Sequence, residues 1–207
     1  MVMDFSDVAR KAGGIYRAKS VNTGVIQIDY IGKQVCIVKP SMTLTCEPDD
    51  WTELVGPIKL REEIFILHYL IQASGKLPTG NLIPFRSMDG GMTYESVFRA
   101  RAVDRLARAF SNREELLMKI GKRFGGVPGD LGNVSLRLRI LPNVELAMVL
   151  WKGDNEFPLS GNILFDESVL DYFPTEDCVV MAETMVSRII RVLDKDIDEG
   201  NASTSAV

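Results

Sequence analysis

A chain with one histidine can run few kinds of histidine chemistry, and this one has only His68. Zinc hydrolysis through H-E-x-x-H, and any site built on two imidazoles, is excluded. His68 lies in an apolar stretch beside Tyr69, which places it in a buried helix. There it is either a neutral core histidine hydrogen-bonded to backbone or tyrosine, or an axial ligand or proton donor to a cofactor. A serine nucleophile has no G-x-S-x-G elbow to sit on. The glycine pairs at 13–14, 90–91 and 125–126 lack the spacings with which backbone amides cradle phosphates. Cys36, Cys46 and Cys178 are odd in number and scattered, with no C-x-x-C, and read as free thiols in a reducing compartment.

Charged residues supply the other candidates. The loops after an apolar strand carry Asp154, Glu156 and Asp166, carboxylates that could bind a hard cation or act as acid and base. The plainer alternative is a surface turn, followed by a helix N-terminus where Glu176 and Asp177 meet the dipole. Arg86, Arg137 and Arg139 are expected on strands, and Arg101, Arg105 and Arg108 along one helix edge. If they converge, their planar forks suit a ligand with several carboxylates or phosphates; if not, they solubilise the surface. Residues 93–123 are basic and 152–177 acidic, as expected of solvated faces.

The elements that would position these groups are legible from periodicity. Phe5 to Ala18 reads as a helix weakened by Gly13-Gly14. Val25 to Ile31 and Gln34 to Val38 read as a β-hairpin turning at Gly32-Lys33, with a short further strand near Met42 to Cys46. Leu60 to Ser74 reads as a helix in which Leu60, Ile64, Leu67 and Ile71 recur at helical spacing and other apolar residues fill the remaining sides, hence a buried central helix. A strand near Asn81 to Arg86 and a turn at Asp89-Gly90-Gly91 precede an amphipathic helix from Tyr94 to Phe110. Ser111 with Glu114 has the form of a capping box for a second helix, which ends at Gly125-Gly126.

Val134, Leu136, Leu138 and Ile140 alternate with polar residues, the pattern of a strand with one wet face. Val144 to Trp151 returns as a more central strand, Asn162 to Phe165 could add another, and a helix runs from Glu176 to about Leu193. Strands and helices do not alternate as β-α-β units. The expectation is a single α+β domain over residues 1–195, mainly antiparallel sheet packed against helices, with a flexible tail over 196–207.

The 207 residues carry a net charge of −4 and a mean hydropathy of +0.05, an ordinary globular profile without the basic footprint of a nucleic-acid binder. The apolar run Ile64 to Ile71 is too short to span a bilayer, and the first residues have no targeting pattern, so a cytoplasmic protein off the membrane is expected.

The strings ILHYL (66–70), IPFRSMDGG (83–91), LRLRILPNVELAMVLWKGDNEFP (136–158), ILFD (163–166) and YFPTED (172–177) together resemble an uncharacterised family found mainly in anaerobic bacteria and archaea. Some of its members carry an N-terminal iron-sulfur domain like that of the corrinoid iron-sulfur protein, whose cysteines this chain does not have. The resemblance implies a setting in anaerobic one-carbon, corrinoid or redox metabolism and assigns no catalytic residue. Within that setting, His68, Tyr69, Arg86, Arg137, Arg139 and Trp151 are the expected lining of a tetrapyrrole or corrinoid pocket, although the D-x-H-x-x-G corrinoid motif is absent. Three readings stand open: an accessory cofactor-binding protein, also meeting a protein partner of that metabolism; an enzyme using Asp154, Glu156 and Asp166 with or without a metal; and a scaffold joining partners through Arg101, Arg105 and Arg108.

Overall fold

Period-two and period-3.6 apolar patterns sort this chain into two antiparallel sheets and a layer of helices. The computed structural model describes residues 25–38, 43–45, 50–153, 156 and 158–204; Phe5 to Ala18 lies outside them. The first sheet is the hairpin β1 (Val25–Tyr30) and β2 (Lys33–Val38), joined by β3 (Thr43–Thr45) in the order β1-β2-β3. Its turn is Ile31-Gly32, closed by the pair Tyr30 and Lys33, one residue earlier than the glycine suggests. Both turn residues have positive φ, 45° and 79°, the two-residue form whose twist matches a hairpin. That conformation is adverse for a β-branched residue. Ile31 is held in it by burial and by donating its N–H to the Ile140 carbonyl at 2.9 Å.

After helix α1 (Asp50–Val55), which the sequence pattern did not announce, comes helix α2 (Leu60–Gln72). The structure corrects the expectation that α2 is buried all round. Phe65, Ile66, Tyr69 and Leu70 face the core, while Leu60, Ile64 and Ile71 are 71%, 45% and 50% exposed. The stripe read as buried is therefore the outer one, because both faces of the helix are apolar and periodicity alone cannot rank them.

The second sheet has the order β4-β8-β7-β6-β5, every pair antiparallel, built from β4 (Leu82–Pro84), β5 (Val127–Pro128), β6 (Val134–Leu141), β7 (Val144–Trp151) and β8 (Ser160–Asp166). The returning strand β7 is central, as its apolar run suggests. Leu136, Leu138 and Ile140 on β6, with Leu146, Met148 and Phe165 opposite, form the core face.

Helix α3 (Gly91–Phe98) continues through a π-helical turn (Arg99–Val103) into α4 (Asp104–Ala109). Helix α5 (Glu115–Gly121) follows a turn, and Ser111 does not cap it: its N-cap is Glu114, whose side chain makes no cap bond, so the capping box is not formed. Gly125 ends this stretch at φ 72°, with Gly126 N–H bonding Gly121 O and Gly125 N–H bonding Lys122 O, a Schellman closure. Helix α6 (Thr175–Thr204) runs past residue 195 and packs against every other α-helix among the described residues. Its Met181, Met185, Ile189 and Val192 are buried, making it the central helix of the fold. The architecture is α+β. Among the described residues no helix is long and apolar enough to cross a membrane.

Candidate functional site

Strand β6 is wet on one face because Arg137 and Arg139 alternate with its core residues, and strand β5 covers it only as far as the pairs Val127 with Arg137 and Pro128 with Leu136. Beyond that, the β6 edge from Leu138 to Pro142 borders a cleft of about 620 Å³. The hairpin tip supplies the facing wall through Asp29, Ile31 and Gly32, and the Phe124-Gly125 turn supplies the end. This volume falls within the roughly 300–1,000 Å³ of small-molecule sites.

The polar equipment of the cleft is Arg137, Arg139, Glu145 and Asp29. Glu145 on β7 holds both guanidinium groups: Oε2 accepts from Arg137 Nη2 at 3.2 Å, and Oε1 accepts from Arg139 Nε and Nη2 at 3.2 and 3.1 Å. Those bonds use one edge of each fork. Arg137 Nε and Nη1 and Arg139 Nη1 keep no protein partner among the described residues. A carboxylate that fixes two planar donors in place reduces what a ligand must spend to order them. The strained Ile31 sits on the same cleft, and residues held at adverse φ cluster at ligand sites.

The other expected site residues are not in this lining. His68 is half-exposed, its side chain 42% accessible, and its Nδ1 lies 2.8 Å from Asp177 Oδ2 on α6, which corrects the expectation of a buried imidazole. Tyr69 is a core residue, stacked on Tyr172 at 5.4 Å and donating its hydroxyl to Pro142 O at 2.8 Å. Arg86 is exposed in the 3₁₀ turn Phe85–Ser87, and Trp151 is exposed at the end of β7. The six residues expected to line one pocket are thus dispersed, with Arg137 and Arg139 alone on the cleft.

Among the carboxylates, Asp166 is fully buried and structural. Oδ1 accepts from Thr79 N–H, Thr79 Oγ1, Ser168 N–H and Ser168 Oγ, and Oδ2 accepts from Gly80 N–H at 2.7 Å. Burial pushes its pKa up, but these hydrogen bonds outweigh it and hold the carboxyl below its ordinary range. Glu156 is exposed, and Asp154 lies outside the described residues. Among the described residues no group of three or more His, Cys, Asp or Glu is placed to hold a metal ion. The arginine edge turns partly inward: Arg101 approaches Glu183 at 3.9 Å, Arg105 donates to Ser187 Oγ at 3.1 Å, and Arg108 donates to its own helix at Asp104 O.

One buried constellation was not anticipated. Arg188 on α6 donates to Glu62, Val55 O, Gly56 O and Pro57 O, and Glu62 also accepts from Tyr30 OH at 2.7 Å and Lys59 N–H at 2.9 Å. A signal existed. Met181, Met185, Arg188 and Val192 share one helical stripe, so the arginine occupies a core slot; Glu62 likewise precedes Phe65, Ile66 and Tyr69 on theirs.

The fold and cleft define an α+β protein with a pocket of ligand size and no assembled catalytic set among the described residues. The chain belongs to the DUF3786 family, a domain of unknown function whose model matches residues 4–188. No curated protein and no solved structure matches it.

Proposed function

We propose that this chain is a ligand-binding protein whose site is the cleft between the hairpin tip and strand β6, and that its ligand is a small, partly apolar anion. The observation that carries this reading is the pair Arg137 and Arg139, oriented by Glu145 beside an exposed apolar wall of Val127 and Pro128. The guanidinium edges left over suit a carboxylate or phosphate, and the apolar wall suits a hydrocarbon or ring portion.

A tetrapyrrole or corrinoid, the ligand class suggested by a setting in anaerobic metabolism, fits this cleft only through its periphery. Its acidic side chains would meet Arg137 and Arg139, but among the described residues the lining contains no His, Cys or Met to ligate a metal. The chain's own contribution is therefore orientation and charge pairing.

The test is thermal melting against a panel of dicarboxylates, aromatic carboxylates, haem and cobalamin, at fixed ionic strength. A ligand at 100 times its Kd stabilises by about 2.7 kcal/mol, which is about 5–11 °C for a chain of this size. The shift should disappear in the Arg137→Ala/Arg139→Ala variant. A ligand that stabilises this double variant as well as the wild type would overturn the assignment of the cleft, and a panel with no stabilising member would overturn the anionic-ligand reading.

A further inference from the structure

Strand β1 alternates its side chains, so while Asp29 faces the cleft, Tyr30 points the other way to Glu62. Beyond Glu62 lies a second, separate cavity of about 70 Å³ between the turn before α2 and helix α6. Among the described residues its charged lining is Lys59, Arg61, Arg188 and Arg191 against Glu62, four cations to one carboxylate in a chain whose net charge is −4.

These cations are not equivalent. Arg188 is committed to Glu62 and three backbone carbonyls and forms the wall. Arg61 spends Nη1 on Glu183 at 2.8 Å, and Arg191 spends Nε on Leu54 O at 3.3 Å. Lys59 and Arg191 enter no ion pair among the described residues. Positive charge of this density on an acidic protein has no counterion of its own in the lining once Glu62 is satisfied by Arg188.

A neutral donor is present too. Thr184 lines the same cavity, is 3% exposed, and its Oγ1 has no hydrogen-bond partner among the described residues. A buried hydroxyl left unpaired is destabilising, and native proteins keep few of them. The space is several times the ~10–15 Å³ that one water needs, and it is far below the size of a nucleotide or cofactor site.

We infer that this cavity binds the phosphoryl group of inorganic phosphate or of a phosphomonoester, with Lys59, Arg61 and Arg191 as cationic donors and the Thr184 hydroxyl as a neutral one. A tetrahedral oxyanion offers acceptors in several directions, which matches two guanidinium forks, an ammonium and a hydroxyl arriving from α6 and from the start of α2. The inference does not depend on the cleft at β6, since the two sites share no lining residue.

The experiment is isothermal titration with inorganic phosphate and with phenyl phosphate, against sodium chloride at matched ionic strength. Wild type should bind phosphate with a saturable heat, and Lys59→Ala/Arg191→Ala should weaken binding at least tenfold. Both positions are exposed, so circular dichroism should show the fold retained. Thr184→Val should weaken binding severalfold without lowering the melting temperature of the unliganded protein, and Arg137→Ala/Arg139→Ala should leave it unchanged. Binding of both probes identifies a phosphomonoester site, and binding of phosphate alone identifies a free-oxyanion site. Heats no larger than those of chloride, or an affinity indifferent to loss of Lys59 and Arg191, would overturn the inference.

Discussion

Replacing Glu62 by Gln removes the counterion of Arg188 while keeping the shape of the side chain. The side chains of Arg188 and Glu62 are 5% and 2% exposed, so the guanidinium left behind is a buried charge that has lost its carboxylate and keeps the Val55, Gly56 and Pro57 carbonyls and a neutral amide. Breaking a buried pair from one side costs about 3–5 kcal/mol. The adjoining cavity admits water, which sets the expectation near the lower end, about 3 kcal/mol, or about 6–12 °C in Tm for a chain of this length. Arg188→Met should cost more, about 4–5 kcal/mol, because it strands the three carbonyls as well as Glu62. The double variant Glu62→Gln/Arg188→Met no longer buries a charge at this pair, so its loss should fall short of the sum by at least about 1 kcal/mol. Urea unfolding followed by circular dichroism, with linear extrapolation, measures all four corners of this cycle. A loss below about 1 kcal/mol for Glu62→Gln, or strict additivity, would show that the pair is solvated and that the reasoning from burial fails.

Three further outcomes follow from the buried polar groups and the tight turn. Asp166→Ala should cost about 3 kcal/mol at pH 7 by stranding the Thr79, Gly80 and Ser168 N–H groups. Because hydrogen bonding holds the folded pKa of Asp166 below its unfolded value, its stabilisation is present above about pH 4 and lost as pH falls through the folded value. The variant's acid-unfolding curve should be correspondingly flatter; an unchanged acid slope would refute this. Burial, reinforced by Asp177 and Glu176, pushes the Cys178 thiol far up, so iodoacetamide at pH 8 should leave it unmodified in the native protein and alkylate it in urea, read by peptide mass. Equal rates in both would contradict its burial. Gly91→Ala should destabilise by about 2 kcal/mol although alanine favours helix, because the added methyl would stand 2.1 Å from the Phe85 carbonyl oxygen; a stabilised variant would show that the turn relaxes.

Strand β6 was legible in the sequence because one face is apolar and the other carries Arg137 and Arg139, so period two decided both its existence and its orientation. Helix α2 was legible as a helix and not as an oriented one, since Leu60, Ile64 and Ile71 compete with Phe65, Ile66 and Tyr69 for the core and only tertiary packing selects between them. The same ambiguity misplaced His68, which shares the exposed stripe four residues after Ile64. The capping box at Ser111 and Glu114 failed because Asn112 takes a positive φ of 61° and the chain turns there before α5 begins. For the site, residue type pointed correctly to arginines as anion donors, but convergence is a property of topology. Arg137 and Arg139 meet through Glu145 across one β-ladder step, whereas Glu62 and Arg188 meet across 126 positions, a separation that no local pattern encodes.

The hairpin is the element on which both cavities depend, and its own stability is too small to position it. A two-stranded ribbon is marginal alone; here β3 extends it, and its tip is fixed from two sides. The Ile31 N–H bonds the edge of β6 at Ile140, and the Tyr30 hydroxyl bonds Glu62 while its ring packs edge-on against Phe65 at 5.8 Å. The extended backbone at Tyr30 sends its side chain to one side of the strand while the next N–H bonds the β6 edge. The main-chain bond to Ile140 sets the wall of the cleft, and the Tyr30 bond sets the acid that neutralises Arg188 and leaves Lys59, Arg61 and Arg191 facing the smaller cavity. The tip therefore borders one space directly and reaches the other through Tyr30, and the buried Glu62–Arg188 pair anchors it to α6, which contacts every other α-helix among the described residues.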